Sequence, residues 1–347
     1  MILAFESSCD ESAIALFDEK GSLISEWIQS QISRHAEYGG VVPDLAVGEH
    51  LLNFFPLLEL ADEKYDLQYR VSSIAVTCGP GLIGCLGMGL SISKTLGLLW
   101  DIPVWGVNHL RGHAFSPFMA LDFESYSDWQ RFLPHLGLLA SGGNTILFKL
   151  TEERYLEILA QTVDDAAGEA FDKGAKLMGI PYPGGAELEK HAKNGNPNAF
   201  AFPRAFSNKS DMKFSFSGLK TSLLYALKNM NEKQISDSFD DLCASYQAAA
   251  VDQLSVKTSQ ALEHAQYKSI GLSGGVANNE RLRESLGEIA KKNKIFFLPA
   301  PKAHCGDNAA MIAHASLVDK QGLWPNHEQN LTFQPTLSLD QLPGTSF

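Results

Sequence analysis

Two segments of this chain are built to one plan. The first, ILAFESSCDESAIALFDEKG (residues 2–21), sets two apolar arms around a small acidic turn. The second, HLGLLASGGNTILFKL (residues 135–150), sets two apolar arms around a glycine turn. Apolar runs flanking a small polar turn read as strand–turn–strand units. One such unit opening each of two halves predicts a duplicated α/β architecture with a cleft between the halves. The chain has 347 residues, enough for two domains with their own cores.

The remaining segments fit alternating strands and helices. VSSIAVTCGPG runs as a strand into a glycine turn, residues 82–100 as a helix, IPVWGVN as a strand, and HLRGH sits on a helix. After the second unit come a helix in DDAAGEAFDKGAKLMG, a turn at YPGG, a loop region to about residue 215, and a long helix from Phe239. The strand SIGLSGG, a helix from Asn279, the strand IFFLPA and a closing helix in CGDNAAMIAHASLV follow. The tail from about residue 320 is rich in Pro, Gly and Asn and is expected to be loosely structured.

The longest apolar stretch, residues 79–100, carries Lys94 and several glycines, which suits a buried helix better than a membrane span. The N-terminus has a short apolar run before Glu6 and no basic segment ahead of it, unlike a secretion signal. Cys9, Cys78, Cys85, Cys243 and Cys305 form no CxxC pair, which argues for a reducing compartment. The expected location is the cytoplasm, with no membrane partner. The net charge of −12 is not the basic footprint of a nucleic-acid binder, yet Lys213, Lys220, Arg281, Arg283 and Lys291 leave room for a local basic groove.

Three features carry chemistry. His109 and His113 stand four apart, so on a helix both imidazoles face one side and can reach one ion; they can equally pack or cap. Leu110 stands where a zinc protease of the HExxH kind needs its glutamate. Asp307, in a Gly-Asp turn before a small-residue helix, can cap that helix or complete a two-His-one-carboxylate site suited to Fe(II) or Zn. The turns ASGGNT, LSGGVANN and GPG offer close backbone approach to a phosphate, and otherwise serve as tight turns. Asp10 and Glu11 form one acidic pair, and Asp165, Glu169 and Asp172 share a face if that segment is helical.

Taken together, FESSCDES, HAEYGGVVPDLA, GPGLIGCLGMG, VNHLRGHAFSP, ASGGNT, DDAAGEAFDKGAKLMGIPYPGG, KFSFSGLKT, SGGVANNERLR and CGDNAAMIAH resemble the universal tRNA N6-adenosine threonylcarbamoyltransferase family, TsaD in bacteria. The resemblance implies the two-lobe, actin-like ATPase fold of sugar kinases, Hsp70 and actin, with an interlobe cleft. One lobe would comprise residues 1–107 plus about 309–347, the other, with substrate and metal, 108–308. It implies transfer of threonylcarbamoyl from L-threonylcarbamoyl-adenylate to N6 of adenosine 37 in tRNAs reading codons that start with A. It places one divalent metal, Fe(II) or Zn(II), on His109, His113 and Asp307. The substrate loop falls on Leu139, Ala140, Ser141, Gly142 and Gly143, with further contacts at Asp172, Gly185, Glu189 and Asn279. Asp10, with Glu11 beside it, takes the catalytic position of the first turn. The implied partners are tRNA, an inactive paralogue subunit and a small ATPase.

The chain departs from the usual bacterial pattern at Gly48, where an arginine is common, at Asn144 in GGNT, at Gly306 in CGDN, and at Leu139, where relatives with GGNT often carry a tyrosine. Other classes compete. A non-catalytic, actin-like partner subunit would lack the His109, His113 and Asp307 set. A metalloprotease lacks its base at Leu110. An ATPase of this fold would turn over ATP without modifying tRNA.

Overall fold

The computed structural model describes residues 1–121, 126–206, 208, 211–319, 321–325 and 331–342. Its strands, in chain order, are β1 (Ile2–Glu6), β2 (Glu11–Phe17), β3 (Leu23–Ser30), β4 (Ser73–Gly79), β5 (Val104–Asn108), β6 (His135–Ala140), β7 (Thr145–Leu150), β8 (Leu156–Gln161), β9 (Ser269–Ser273), β10 (Phe296–Pro299) and β11 (Leu323–Pro325). The chain divides into two compact units: Met1–Met119 with Gly306–Phe347, and Ala120–Cys305.

The first unit holds a sheet in the order β11-β5-β4-β1-β2-β3. β1 and β2 form the antiparallel hairpin, β3 extends it antiparallel, and β4 and β5 run parallel to β1. β1, β2 and β4 are buried almost throughout, which is why they read as continuous apolar runs rather than alternating ones. Helix Ile83–Trp100 is long and apolar enough to cross a membrane by length and composition. It lies instead against β4 and helix Pro43–Tyr65, burying Cys85, Leu86, Gly89, Leu90, Ser93 and Gly97.

The second unit repeats the plan, with a sheet in the order β10-β9-β6-β7-β8. β6 and β7 are the hairpin, β8 extends it antiparallel, and β9 and β10 run parallel to β6. Each sheet thus contains a hairpin, a third antiparallel strand and two parallel strands in the same order, as the repeated hairpins predict. Helix Phe239–His264 supplies much of this unit's core through small and aliphatic residues such as Ala249, Ala250, Val251 and Leu254.

Three expectations change. The unit boundaries fall near residues 119 and 306 rather than 107 and 309. Helix His109–Phe115 packs on helix Ala309–Val318, where a Cβ at Gly112 would lie 3.0 Å from Ile312, so the HLRGH segment belongs with the first sheet. The region before residue 215 is not all loop, because Gly185–Ala192 is helical. The tail is not loose where it is described: Leu331, Leu337 and Leu339 are buried, and β11 pairs antiparallel with β5.

Candidate active site

In the first unit, chemistry gathers at the carboxyl ends of the parallel strands, where open α/β sheets place their ligands. β5 ends at Asn108, whose side chain caps the next helix by accepting from the N–H groups of Leu110 (2.9 Å) and Arg111 (3.4 Å). The helix therefore starts at His109, and His113 stands one turn on, with the two rings 4.8 Å apart. Helix Ala309–Val318 is capped by Asn308, which accepts from Met311 N at 2.8 Å. Asn308, not Asp307, is the cap, and Asp307 faces the histidines.

His113 Nε2 lies 3.0 Å from Asp307 Oδ1, and His109 Nε2 lies 3.5 Å from the same oxygen. The three donor atoms fall within 4.8 Å of one another. Ligands about 2.0–2.2 Å from one ion lie about 3.0–3.5 Å apart in octahedral or tetrahedral coordination, and the two distances to Asp307 fall in that range. Both histidines are buried, and the Asp307 side chain is 22% exposed, which leaves one open approach.

Glu6, at the end of β1, stands behind His109. Its Oε2 accepts from His109 Nδ1 at 3.0 Å and from Thr77 Oγ1 at 2.6 Å, and its Oε1 accepts from Ser8 N at 2.6 Å. A carboxylate can only accept here, so Nδ1 keeps its proton and Nε2 is the nitrogen that can give up its proton to a metal. Burial alone would depress His109; the Glu6 and Asp307 carboxylates overcome it and push the imidazole up to about 9. Against the same burial, His109 holds Glu6 below its ordinary value and Asp307 down at about 2. The pocket demands positive charge, and a divalent cation answers that demand as well as a proton does. Burial lowers His113, whose Nδ1 has no hydrogen-bond partner among the described residues.

Asp10 and Glu11 close the first hairpin turn. Glu11 accepts from Ser30 Oγ at 3.1 Å. Burial, then the charges of Asp10 and Asp307, push its carboxyl up to about 9, which favours its protonated form beside Asp10. Burial also pushes the Cys9 thiol far above its ordinary value, which removes it as a thiolate nucleophile.

The second unit groups the other candidates, again at the carboxyl ends of its parallel strands. β6 ends at Leu139 and Ala140, and the turn closes with Ser141 N donating to Asn144 O at 2.8 Å. Gly142 and Gly143 are exposed, with open space where a Cβ would stand. Gly274, at the end of β9, has φ +86°, and a Cβ there would lie 2.3 Å from Ala140 O. Only glycine permits that approach, and it sets one loop beside the other.

Asp172 Oδ1 accepts from Gly184 N (2.9 Å) and Gly185 N (3.1 Å), opening helix Gly185–Ala192. Glu189, on that helix, accepts from Glu280 N at 2.7 Å. Asn279 caps helix Glu280–Asn293 by accepting from Leu282 N at 3.0 Å, and donates to Gln247 at 2.8 Å. Asp172, Gly185, Glu189 and Asn279 thus form one chain of contacts through two helix starts.

The acidic stripe does not form as expected. The helix begins at Ala167, so Asp165 lies ahead of it, and Lys173 pairs with both Asp165 (2.8 Å) and Glu169 (2.7 Å). An open acidic cavity of about 760 Å3 lined by His191, Glu232, Asp237, Asp240 and Asp241 contains none of the candidate residues. Glu6, which holds His109, is a member of this cluster that the sequence analysis did not single out; its signal was a lone acid ending a wholly apolar strand.

Comparison with known proteins identifies the family. The family model for TsaD, tRNA N6-adenosine threonylcarbamoyltransferase, matches residues 22–314. A protein of that name from Fervidobacterium nodosum is 41% identical over 350 residues, covering 99% of this chain and 100% of that one. Namesakes from an Anaeromyxobacter species and from Kosmotoga olearia are each 44% identical, over 90% of this chain and 92% and 91% of theirs. In fold, HypF from T. kodakarensis is similar with a TM-score of 0.60 at 14% identity, over 91% of this chain and 47% of that one. The chain therefore belongs to the TsaD family of tRNA N6-adenosine threonylcarbamoyltransferases.

Proposed function

We propose that this chain transfers the threonylcarbamoyl group from L-threonylcarbamoyl-adenylate to N6 of adenosine 37 in tRNAs reading codons that start with A. The observation that carries the reading is the convergence of His109, His113 and Asp307, with Glu6 fixing the His109 tautomer. These three residues would hold Fe(II) or Zn(II), which as a Lewis acid supplies polarisation of the donor's carbonyl and phosphate.

The chain's own residues do the rest. The exocyclic N6 attacks the carbamoyl carbon, the carbon–oxygen bond to phosphate breaks, and AMP leaves with the electron pair. Asp10 takes the N6 proton, while Glu11, already protonated, keeps its hydrogen bond to Asp10. Leu139, Ala140, Ser141, Gly142 and Gly143 hold the adenylate through backbone groups, with Asp172 and Glu189 at its ribose and Gly185 and Asn279 framing it. An aromatic amine is a weak nucleophile, so positioning carries most of the rate.

The partners are tRNA, an inactive paralogue subunit and a small ATPase, in the cytoplasm. Leu52, Phe55, Leu98 and Leu99, exposed on helices Pro43–Tyr65 and Ile83–Trp100, support docking of a partner subunit.

The test is nucleoside mass spectrometry of tRNA from cells depleted of their own enzyme, carrying this gene intact or as His109→Ala. Threonylcarbamoyladenosine restored by the intact gene alone supports the reading. Restoration by both removes the metal site from the mechanism. Restoration by neither, even with the chain's own partner proteins supplied, removes the transferase reading.

A further inference from the structure

The helix that carries His109 and His113 is gripped from its far side. Asn108, which caps it, turns its amide Nδ2 to the carbonyl of Ser338 at 2.8 Å. Arg111 is 2% exposed and lies between the two histidines in sequence, about 200° around the helix from each. Its Nη2 donates to Asp319 Oδ1 at 2.8 Å, its Nε donates to Asp319 Oδ2, and its Nη1 reaches Leu339 O at 3.4 Å. Gly322 N donates to Asp319 Oδ1 at 3.2 Å, and a Cβ at Gly322 would lie 2.4 Å from Arg111 Nε.

The segment supplying Ser338 and Leu339 is itself tied down across the carboxyl ends of β4 and β5. Gln334 N donates to Cys78 O at 2.7 Å, and Gly81 N donates to Pro335 O at 3.2 Å. Leu331 O accepts from Lys94 Nζ at 2.7 Å, and Leu331, Leu337 and Leu339 are buried. None of these residues belongs to the His109–His113–Asp307 group, yet all bear on the helix that carries its two histidines.

We propose that residues 331–342, with Asp319, are a positioning strap that fixes the rotation of helix His109–Phe115 and so the metal geometry of His109 and His113. The inference rests on the reading of His109, His113 and Asp307 as a metal site. Arg111 and the Asn108 cap fix the helix at two points around its axis. Atoms about 5–6 Å from a helix axis move about 1 Å for a 10° rotation, whereas ligand distances tolerate about 0.2 Å. A helix of two turns has little of its own to resist such a rotation.

Two variants of the full-length chain separate positioning from plain stability. Asn108→Asp keeps the cap acceptor but cannot donate to Ser338 O, and its added negative charge favours a cation. Arg111→Met/Asp319→Leu replaces the buried ion pair by apolar groups, which commonly preserves stability. Zn(II) and Fe(II) affinities are read by competition with a chromophoric chelator, and folding by thermal melts in EDTA.

The expected result is metal binding weaker by about tenfold or more in both variants, on the scale of an outer-shell ligand support, with a melt of the double variant close to the parent. Both variants binding within about twofold of the parent overturns the strap. If the double variant does not fold, Asn108→Asp decides alone. A parent that binds no metal brings down the metal reading and the strap with it, whereas a parent that binds beside unaffected variants brings down the strap only.

Discussion

Glu6→Gln tests the electrostatic logic of the site with a change of one atom. Glu6 is fully buried, and its two oxygens accept three hydrogen bonds, from Ser8 N, Thr77 Oγ1 and His109 Nδ1. A glutamine has two ways to sit there. With its NH2 toward Ser8, two donors face each other across 2.6 Å, and a buried unsatisfied group costs about 1–3 kcal/mol. With its NH2 toward His109, Nδ1 must become the acceptor, the proton moves to Nε2, and the lone pair aimed toward Asp307 is lost. The first orientation costs stability and the second costs the ligand lone pair, while both remove the anionic partner of His109; loss of such a support typically costs about 10–100-fold in metal affinity, or about 1.4–2.8 kcal/mol. The assay is Zn(II) affinity by chelator competition at pH 7.5, with an EDTA melt to confirm folding. The His109 tautomer can be read by long-range proton–nitrogen NMR. An affinity within about twofold of the parent, in a folded variant with its proton still on Nδ1, would refute the reasoning.

Glu11→Gln should raise the melting temperature in EDTA at pH 8 and lose that advantage near pH 4.5. The folded carboxyl is raised to about 9 against an ordinary 4.5, so its contribution is present below 4.5 and lost as pH rises toward 9; an equal shift at both pH values would count against it. His135 and His314 are lowered by burial to about 3 and about 4, so they stay neutral when folded. The unfolded chain takes up protons below about 6.5, and stability falls by up to about 1.4 kcal/mol per histidine per pH unit down toward the folded values. Urea midpoints at pH 7 and pH 5 should show a smaller drop for His314→Phe than for the parent. Gly274→Ala places a Cβ 2.3 Å from Ala140 O at φ +86°, and should cost about 2 kcal/mol or more in denaturant stability; a neutral result would mean the two loops can part without loss.

Much of the architecture was legible because its signals are local. Both hairpins, the strands β4, β5, β9 and β10 and the helices after them stand where apolar runs and small turns put them. The His109–His113–Asp307 cluster was legible as residue types but not as a place: nothing local brings Asp307 to His113, and packing of helix Ala309–Val318 on helix His109–Phe115 does so. Asp307 also looked like the natural helix cap, until Asn308 proved to hold that position one residue on. The tail misled for a related reason. Its Pro, Gly and Asn content suits irregular backbone, but irregular backbone can be fixed, and Leu331, Leu337 and Leu339 fix it by burial. The Asp165–Glu169–Asp172 stripe failed because the helix starts after Asp165 and Lys173 neutralises two of the three acids.

The two sheets share one strand order, so the turns 7–10 and 141–144 occupy equivalent addresses in their own units. The contents of those addresses are opposite in sign. The first is filled by side-chain oxygen and ends in Asp10, and the second by bare backbone around Gly142 and Gly143. A carboxylate at a turn draws cations and protons; open N–H groups at a turn draw anions. A few residues of loop composition have thus given one repeated scaffold two complementary tastes in charge.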